Sequence, residues 1–154
     1  MKRLLWPVLL GVVVLAADQA SKLWVEHAFE LGESVAVLPG CFALTYVRNQ
    51  GAAWGMFQGA QFLLGGLGVV AAGLLACFHR ALLGEGRAVR LLTALLVSGI
   101  LGNVIDRFWH GYVIDFFHVY WRTWHFPCFN VADSAICLAV GVLLLLQVLP
   151  RRHG

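Results

Sequence analysis

The chain has 154 residues, 60% of them hydrophobic and only 12% charged, with a formal charge of +3 and a mean hydropathy of +0.80. Soluble domains average roughly 45–50% apolar and 25% charged residues, so this composition excludes a soluble globular protein and describes an integral membrane protein. The length suits one unit of a few spans at about 20 residues each. The surplus Arg residues gather near the span ends, which is a topology signal and no nucleic-acid footprint.

Lys2 and Arg3 precede an apolar run from Leu4 to Ala17. A basic start followed by small residues at Ala16 and Ala17 also fits a cleavable signal peptide. A retained first span over residues 4–25 is preferred, because the helical pattern continues through Asp18-Gln-Ala-Ser-Lys22. Asp18 and Lys22 are then one turn apart on one face, which lowers the cost of holding both near lipid. A plain structural ion pair stands beside a site role for them.

Two short strands, Ser34 to Leu38 and Phe42 to Val47, are predicted on either side of Pro39-Gly40, a hairpin outside the bilayer. It opens a β platform over residues 34–55. The loop Arg48-Asn-Gln-Gly-Ala-Ala-Trp-Gly55 follows; Asn49 and Gly51 suit a loop that brings backbone close to a ligand, and an ordinary turn is the plainer reading.

The second span, residues 62–79, is uncharged until His79-Arg80, and Gly65, Gly66, Gly68 and Gly73 in it permit close helix approach. Arg87 and Arg90 lead into a third span over residues 91–108, where Asn103, Asp106 and Arg107 share a helix face by their spacing. Residues 109–127 are dense in Trp, Tyr, Phe and His, the mixture that settles at headgroup level, and they read as an interfacial helix. The fourth span covers residues 131–149, and Arg151-Arg152 anchor its end. The expected fold is therefore an all-α membrane protein: a single domain of four transmembrane helices, a small extracytoplasmic β-hairpin platform and an interfacial helix.

The basic residues at the start, between spans two and three, and at the end fall on one side of such a bundle, which the positive-inside rule makes cytoplasmic. Asp18, Lys22, Asn49, Asn103, Asp106, Arg107, Asp115, Asn130 and Asp133 then gather at the outer face. Four Asp residues occur in the chain. Asp18 has Lys22 and Asp106 has Arg107 close in sequence, whereas Asp115 and Asp133 have no adjacent partner. Brought together, those two cannot both ionise cheaply, the situation of a carboxylate dyad that shares one proton and activates water. The plainer reading makes them separate helix-terminal acids.

Other chemistries are weaker. Ser21, Ser98 and Ser134 lack a clear base for a Ser/Lys mechanism. His118, His125 and Cys128 have only a loose ligand-like spacing, and no metal or cofactor is expected. Cys41 and Cys128 would share the oxidising side, and their pairing stays open. The rival outside enzymology is a small transporter or channel subunit with an Asp/Arg proton or ion path, which would want polar groups through the full membrane depth.

Five stretches in order, Asp18-Gln-Ala-Ser-Lys22, Asn49-Gln-Gly-Ala-Ala-Trp-Gly55, Gly99-Ile-Leu-Gly-Asn-Val-Ile-Asp-Arg107, Tyr112-Val-Ile-Asp115-Phe and Phe129-Asn-Val-Ala-Asp133, resemble the motifs of the lipoprotein signal peptidases, the bacterial signal peptidase II family. Ser98, where the family often has Gly, and Trp54, where Phe is common, are small departures. The resemblance implies an intramembrane aspartic endopeptidase of the bacterial inner membrane that removes signal peptides from diacylglyceryl-modified prolipoproteins just before the lipidated Cys. It implies Asp115 and Asp133 as the catalytic pair, Asn130 supporting Asp133, and Asn103 and Arg107 lining the site. Asp18, Lys22, Asn49 and Gly51 would lie near the substrate pocket. Membrane lipids, globomycin-type inhibitors, a monomeric state and the absence of nucleic acid complete what is expected of its partners.

Overall fold

The computed structural model describes residues 2–52 and 56–148. Trp54, the end of the Asn49–Gly55 loop and the Arg151-Arg152 anchor lie outside the described residues. Four helices, α1 (Lys2–Ala28), α2 (Gln61–Leu83), α3 (Arg87–Trp109) and α4 (Val131–Val148), carry the apolar runs. All four are long and apolar enough to cross a membrane. α3 packs against the other three helices and buries Thr93, Leu96, Ser98, Gly99, Gly102, Asn103, Val104 and Asp106.

Two glycines of α3 fix how closely its neighbours approach. A Cβ at Gly99 would stand 2.6 Å from the Ala132 carbonyl oxygen, and one at Gly102 would stand 2.5 Å from Asp18 Oδ2. Backbone cannot give way as a flexible side chain can, so small residues here let α1, α3 and α4 meet. Gly99→Ala is accordingly expected to cost about 1–3 kcal/mol and to displace the first turn of α4; thermal unfolding in detergent would read it as a lowered Tm. Ser98, beside it, is buried but satisfied, its Oγ donating to Leu95 O at 2.9 Å, so the departure from Gly there does not disturb the packing.

The polar end of the bundle carries an antiparallel sheet in the order β1 (Ser34–Leu38), β2 (Phe42–Asn49), β3 (Val113–Trp121), β4 (Trp124–His125). β1 and β2 form the expected hairpin, turning through Gly40 at φ +89°. The expected interfacial helix is not there. Its segment supplies β3, which pairs with β2 through Val47↔Asp115 and Asn49↔Val113, and a short β4 that pairs back on β3. The reason is local chemistry: Val113 to Trp121 is a run of β-branched and aromatic residues, which fit a pleated, half-buried surface. Its backbone finds partners on both sides, with Phe116 N and Phe117 N donating to Phe129 O on the flank away from β2.

The sheet seats on the bundle through Val25, Tyr46, Ile114 and Phe116. Alternation along a strand sends Ile114 and Phe116 into that cluster and Asp115 to the opposite face. One register position thus decides where this carboxylate points.

Candidate active site

Asp115 reaches its place from β3, and Asp133 from the first turn of α4. Asn130 caps that helix. Its Oδ1 accepts from Asp133 N at 2.9 Å, while Asn130 N donates to Asp133 Oδ2 at 3.2 Å, a reciprocal capping box that satisfies two orphan helix donors and fixes the Asp133 rotamer. Asp133 is thus a helix-terminal acid, as the plainer reading has it. With Oδ1 so committed, Asn130 Nδ2 turns toward the sheet and donates to Asp115 Oδ1 at 2.7 Å, Asn103 Oδ1 at 3.1 Å and Ile114 O at 3.2 Å. One amide thus bonds to both carboxyl-bearing residues.

The remaining carboxylate oxygens are also held. Asn103 Nδ2 donates to Asp133 Oδ1 at 2.7 Å, and Asn49 Nδ2 donates to Asp115 Oδ2 at 2.9 Å. Asn49 Oδ1 accepts from Gly51 N at 2.9 Å, which fixes the amide's orientation as β2 runs into its loop. Arg107 ties the same loop to α3, with Nη2 donating to Gly51 O at 3.2 Å and Nη1 to Asn103 O at 3.1 Å. Its Nε is buried with no hydrogen-bond partner among the described residues.

Beneath this layer lies a buried ion cluster. Lys22, 1% exposed, meets Asp18 Oδ2 at 2.8 Å and Asp106 Oδ2 at 2.9 Å and donates to Asn103 Oδ1 at 3.1 Å. Three ammonium protons find three acceptors. The partner of Asp106 is thus Lys22 and not the adjacent Arg107, since neighbours in a helix point apart. Asp18 Oδ1 accepts from Ala132 N at 2.8 Å and Asp106 Oδ2 from Ile114 N at 3.1 Å, so the cluster grips both α4 and β3 one residue away from the two carboxylates. Gln19, for which the sequence suggested no role, bridges Asp18 Oδ2, Gly102 O and Asp106 Oδ1 at 3.0–3.3 Å.

Asp115 and Asp133 open on a cleft of about 790 Å³ whose lining includes Asn49, Asn103 and Arg107 together with Val47, Phe126, Phe129 and Ile136. A few polar groups and much hydrocarbon line it together, the usual make-up of a ligand site. Burial, and then the Asp133 charge, push the Asp115 carboxyl up to about 7, against the pull of Asn49, Lys22 and Asn130. Cys128 also lines the cleft, but burial and then the Asp115 charge push its thiol up to about 11, which leaves it a poor nucleophile at neutral pH. Cys41 and Cys128 are free thiols.

The serines are occupied elsewhere. Ser21 Oγ donates to Asp18 O and Ser134 Oγ to Asn130 O, at 2.8 and 2.9 Å, each within its own turn of helix. His118 and His125 do not join Cys128 in a ligand set; His118 Nε2 meets His125 Nδ1 at 3.0 Å, and His118 Nδ1 meets Thr45 Oγ1 at 3.1 Å. Among the described residues no group of three or more His, Cys, Asp or Glu side chains is arranged to hold a metal ion.

Comparison with known proteins gives the family. The family profile described as signal peptidase II matches residues 10–149. The chain belongs to the signal peptidase II family. It is 45% identical over 138 residues to a lipoprotein signal peptidase of Shewanella piezotolerans, covering 87% of this chain and 81% of that one. With the lipoprotein signal peptidase of Geobacter sulfurreducens it shares 42% identity over 149 residues, covering 95% and 92%. A bacterial membrane enzyme solved by the in meso method at 2.3 Å superposes with a TM-score of 0.81 at 29% identity, over 92% of this chain and 86% of that one. Membership makes the chain a multi-pass bacterial membrane protease of the signal peptidase II type.

Proposed function

We propose that the chain is an intramembrane aspartic endopeptidase that removes signal peptides from diacylglyceryl-modified prolipoproteins, cutting just before the lipidated Cys, with Asp115 and Asp133 as its catalytic dyad. The observation that carries this reading is the Asn130 amide, bonded to Asp115 through its side chain and to Asp133 through its cap. Two carboxyl groups on one cleft, with a single proton between them, divide the work. The ionised member takes a proton from water as its oxygen attacks the scissile carbonyl, and the protonated member donates to the carbonyl oxygen. Collapse of the tetrahedral intermediate breaks the C–N bond, and the proton taken from water passes to the departing amine. The Cys then leads the product.

Asn130 and Asn103 hold the dyad, Arg107 and Asn49 border the substrate's path, and Asp18 and Lys22 set the scaffold below. The apolar part of the cleft, with Val47, Phe126, Phe129 and Ile136, suits a lipidated peptide arriving from the bilayer, and a globomycin-type inhibitor would occupy the same space. The chain works as a monomer, with both termini cytoplasmic and the sheet and dyad at the outer face; the Arg80, Arg87 and Arg90 loop at the far end supports that orientation. A transport path finds less support: of the buried polar side chains in the half away from the sheet, Thr93 and Ser98 bond to carbonyls of their own helix.

Cleavage of a diacylglyceryl-modified prolipoprotein by the purified chain, read by mass spectrometry, tests the proposal. The expected product begins at the lipidated Cys. Because Asp115 is held up to about 7, the dyad loses its last proton as pH rises through that value, so kcat/KM is expected to fall on the alkaline side of about 7. A rate that goes on climbing as pH rises above about 7 would indicate a nucleophile needing deprotonation and would sink the dyad, as would failure to cut at all.

A further inference from the structure

At the end of the bundle remote from the carboxylates, a second cleft of about 330 Å³ opens between the start of α1, the end of α2 and the first half of α3. Its walls are hydrocarbon, contributed by Pro7, Val8, Val12 and Leu15 of α1 and by Val97 and Leu101 of α3. Four polar side chains also line it: Thr93 and Ser98, whose hydroxyls bond to carbonyls of their own helix, and His79 and Arg90. Arg90 Nε and His79 Nε2 are both buried, and neither has a hydrogen-bond partner among the described residues. His79 Nδ1 donates to Ala76 O at 3.3 Å, which orients the ring and leaves Nε2 to accept from an outside donor.

A guanidinium N–H taken out of water without an acceptor is costly, so the protein's own side chains leave an anion's place unfilled. The surroundings reinforce this: residues 79–90 contain His79, Arg80, Arg87 and Arg90 against a single acid, Glu85. A soluble anion would satisfy the charge but not the adjoining hydrocarbon trough. A phospholipid satisfies both, since Arg recognises phosphate through its donor fork, and an acyl chain in the trough removes apolar wall from contact with voids.

We propose that this cleft binds one anionic phospholipid, its acyl chain lying along Val8, Val12 and Val97, its headgroup phosphate accepting from Arg90 and a headgroup hydroxyl donating to His79 Nε2. The site is separate from the dyad and does not depend on the catalytic reading.

Native mass spectrometry of the full chain, released from micelles holding equal amounts of phosphatidylglycerol and phosphatidylcholine with identical acyl chains, tests it. The expected result is a single-lipid adduct favouring phosphatidylglycerol by about fivefold, the worth of one basic side chain near an anionic lipid surface. Arg90→Gln should bring that preference close to parity. Val12→Trp fills the trough from a position 58% exposed in the protein alone, so it should lower occupancy by both lipids without unfolding the chain. Equal adducts of the two lipids on the wild type, or an unchanged preference in a folded Arg90→Gln variant, would overturn the proposal. So would unchanged occupancy in Val12→Trp, which keeps the test decisive if Arg90→Gln does not fold. Inorganic phosphate alone raising the Tm as much as phosphatidylglycerol would show an anion site without a chain and would overturn it as well.

Discussion

Asp115→Asn and Asp133→Asn are each expected to lower prolipoprotein cleavage by about 10²–10⁴-fold or more, the range assigned to a positioned acid or base, while the protein still folds. Each substitution keeps shape and removes the ability to hold or exchange the shared proton. The structural cost is small but not zero. Both oxygens of each carboxylate accept hydrogen bonds, Asp115 from Asn130 and Asn49 and Asp133 from Asn103 and Asn130 N. An amide in either place therefore sets one N–H donor against another. The donors cannot simply flip: Asn103 Oδ1 is held by Lys22 and Asn130, and Asn49 Oδ1 by Gly51 N. Each variant should lose about 1–3 kcal/mol, visible as a lowered Tm with a retained cooperative transition. Cleavage within tenfold of wild type by either folded variant would remove that residue from the chemistry.

The sequence made the site legible through its rarity of charge. In a chain with eight acidic residues, Asp115 and Asp133 stood out as carboxylates without a neighbouring base, and the structure sets both on one cleft. The spans were legible because their apolar runs exceed what a soluble core needs, and the β1–β2 hairpin because Pro39-Gly40 separates two strand-like runs. What stayed hidden depends on pairing across long separations. Tyr112 to Trp121 is aromatic or apolar on both of its faces, so a period of two is masked and a surface helix looks as good. Only the backbone partners on β2 and at Phe129 decide for a strand. Asp106 was assigned to Arg107 by adjacency, yet its true partner lies 84 residues away, at Lys22. Gln19 gave little sign of bridging to α3, because nothing in a single span records which neighbour it will face.

Lys22→Met is expected to be the most damaging single change outside the dyad. The ammonium is almost fully buried and neutralises Asp18 and Asp106 at once. Without it two buried carboxylates face each other's field, and breaking a buried ion pair from one side costs about 3–5 kcal/mol, a large share of the roughly 5–15 kcal/mol that holds a typical protein folded. Lys22→Arg is not expected to rescue, because a planar guanidinium is bulkier than the compact ammonium and presents its donors in a fixed fork. The discriminating variant is Lys22→Met with Asp18→Asn and Asp106→Asn, which removes all three charges. If the loss came from uncompensated charge, thermal unfolding should show stability partly restored. Activity should lag behind, since Asp18 holds Ala132 N beside Asp133 and Asp106 holds Ile114 N beside Asp115. An amide oxygen accepts those bonds more weakly than a carboxylate does, so α4 and β3 are held less firmly and the dyad loses its spacing before the bundle loses its fold. A Lys22→Met variant that accumulates and melts like wild type would show that the cluster is solvated in the membrane, and that its grip on the dyad comes from packing alone.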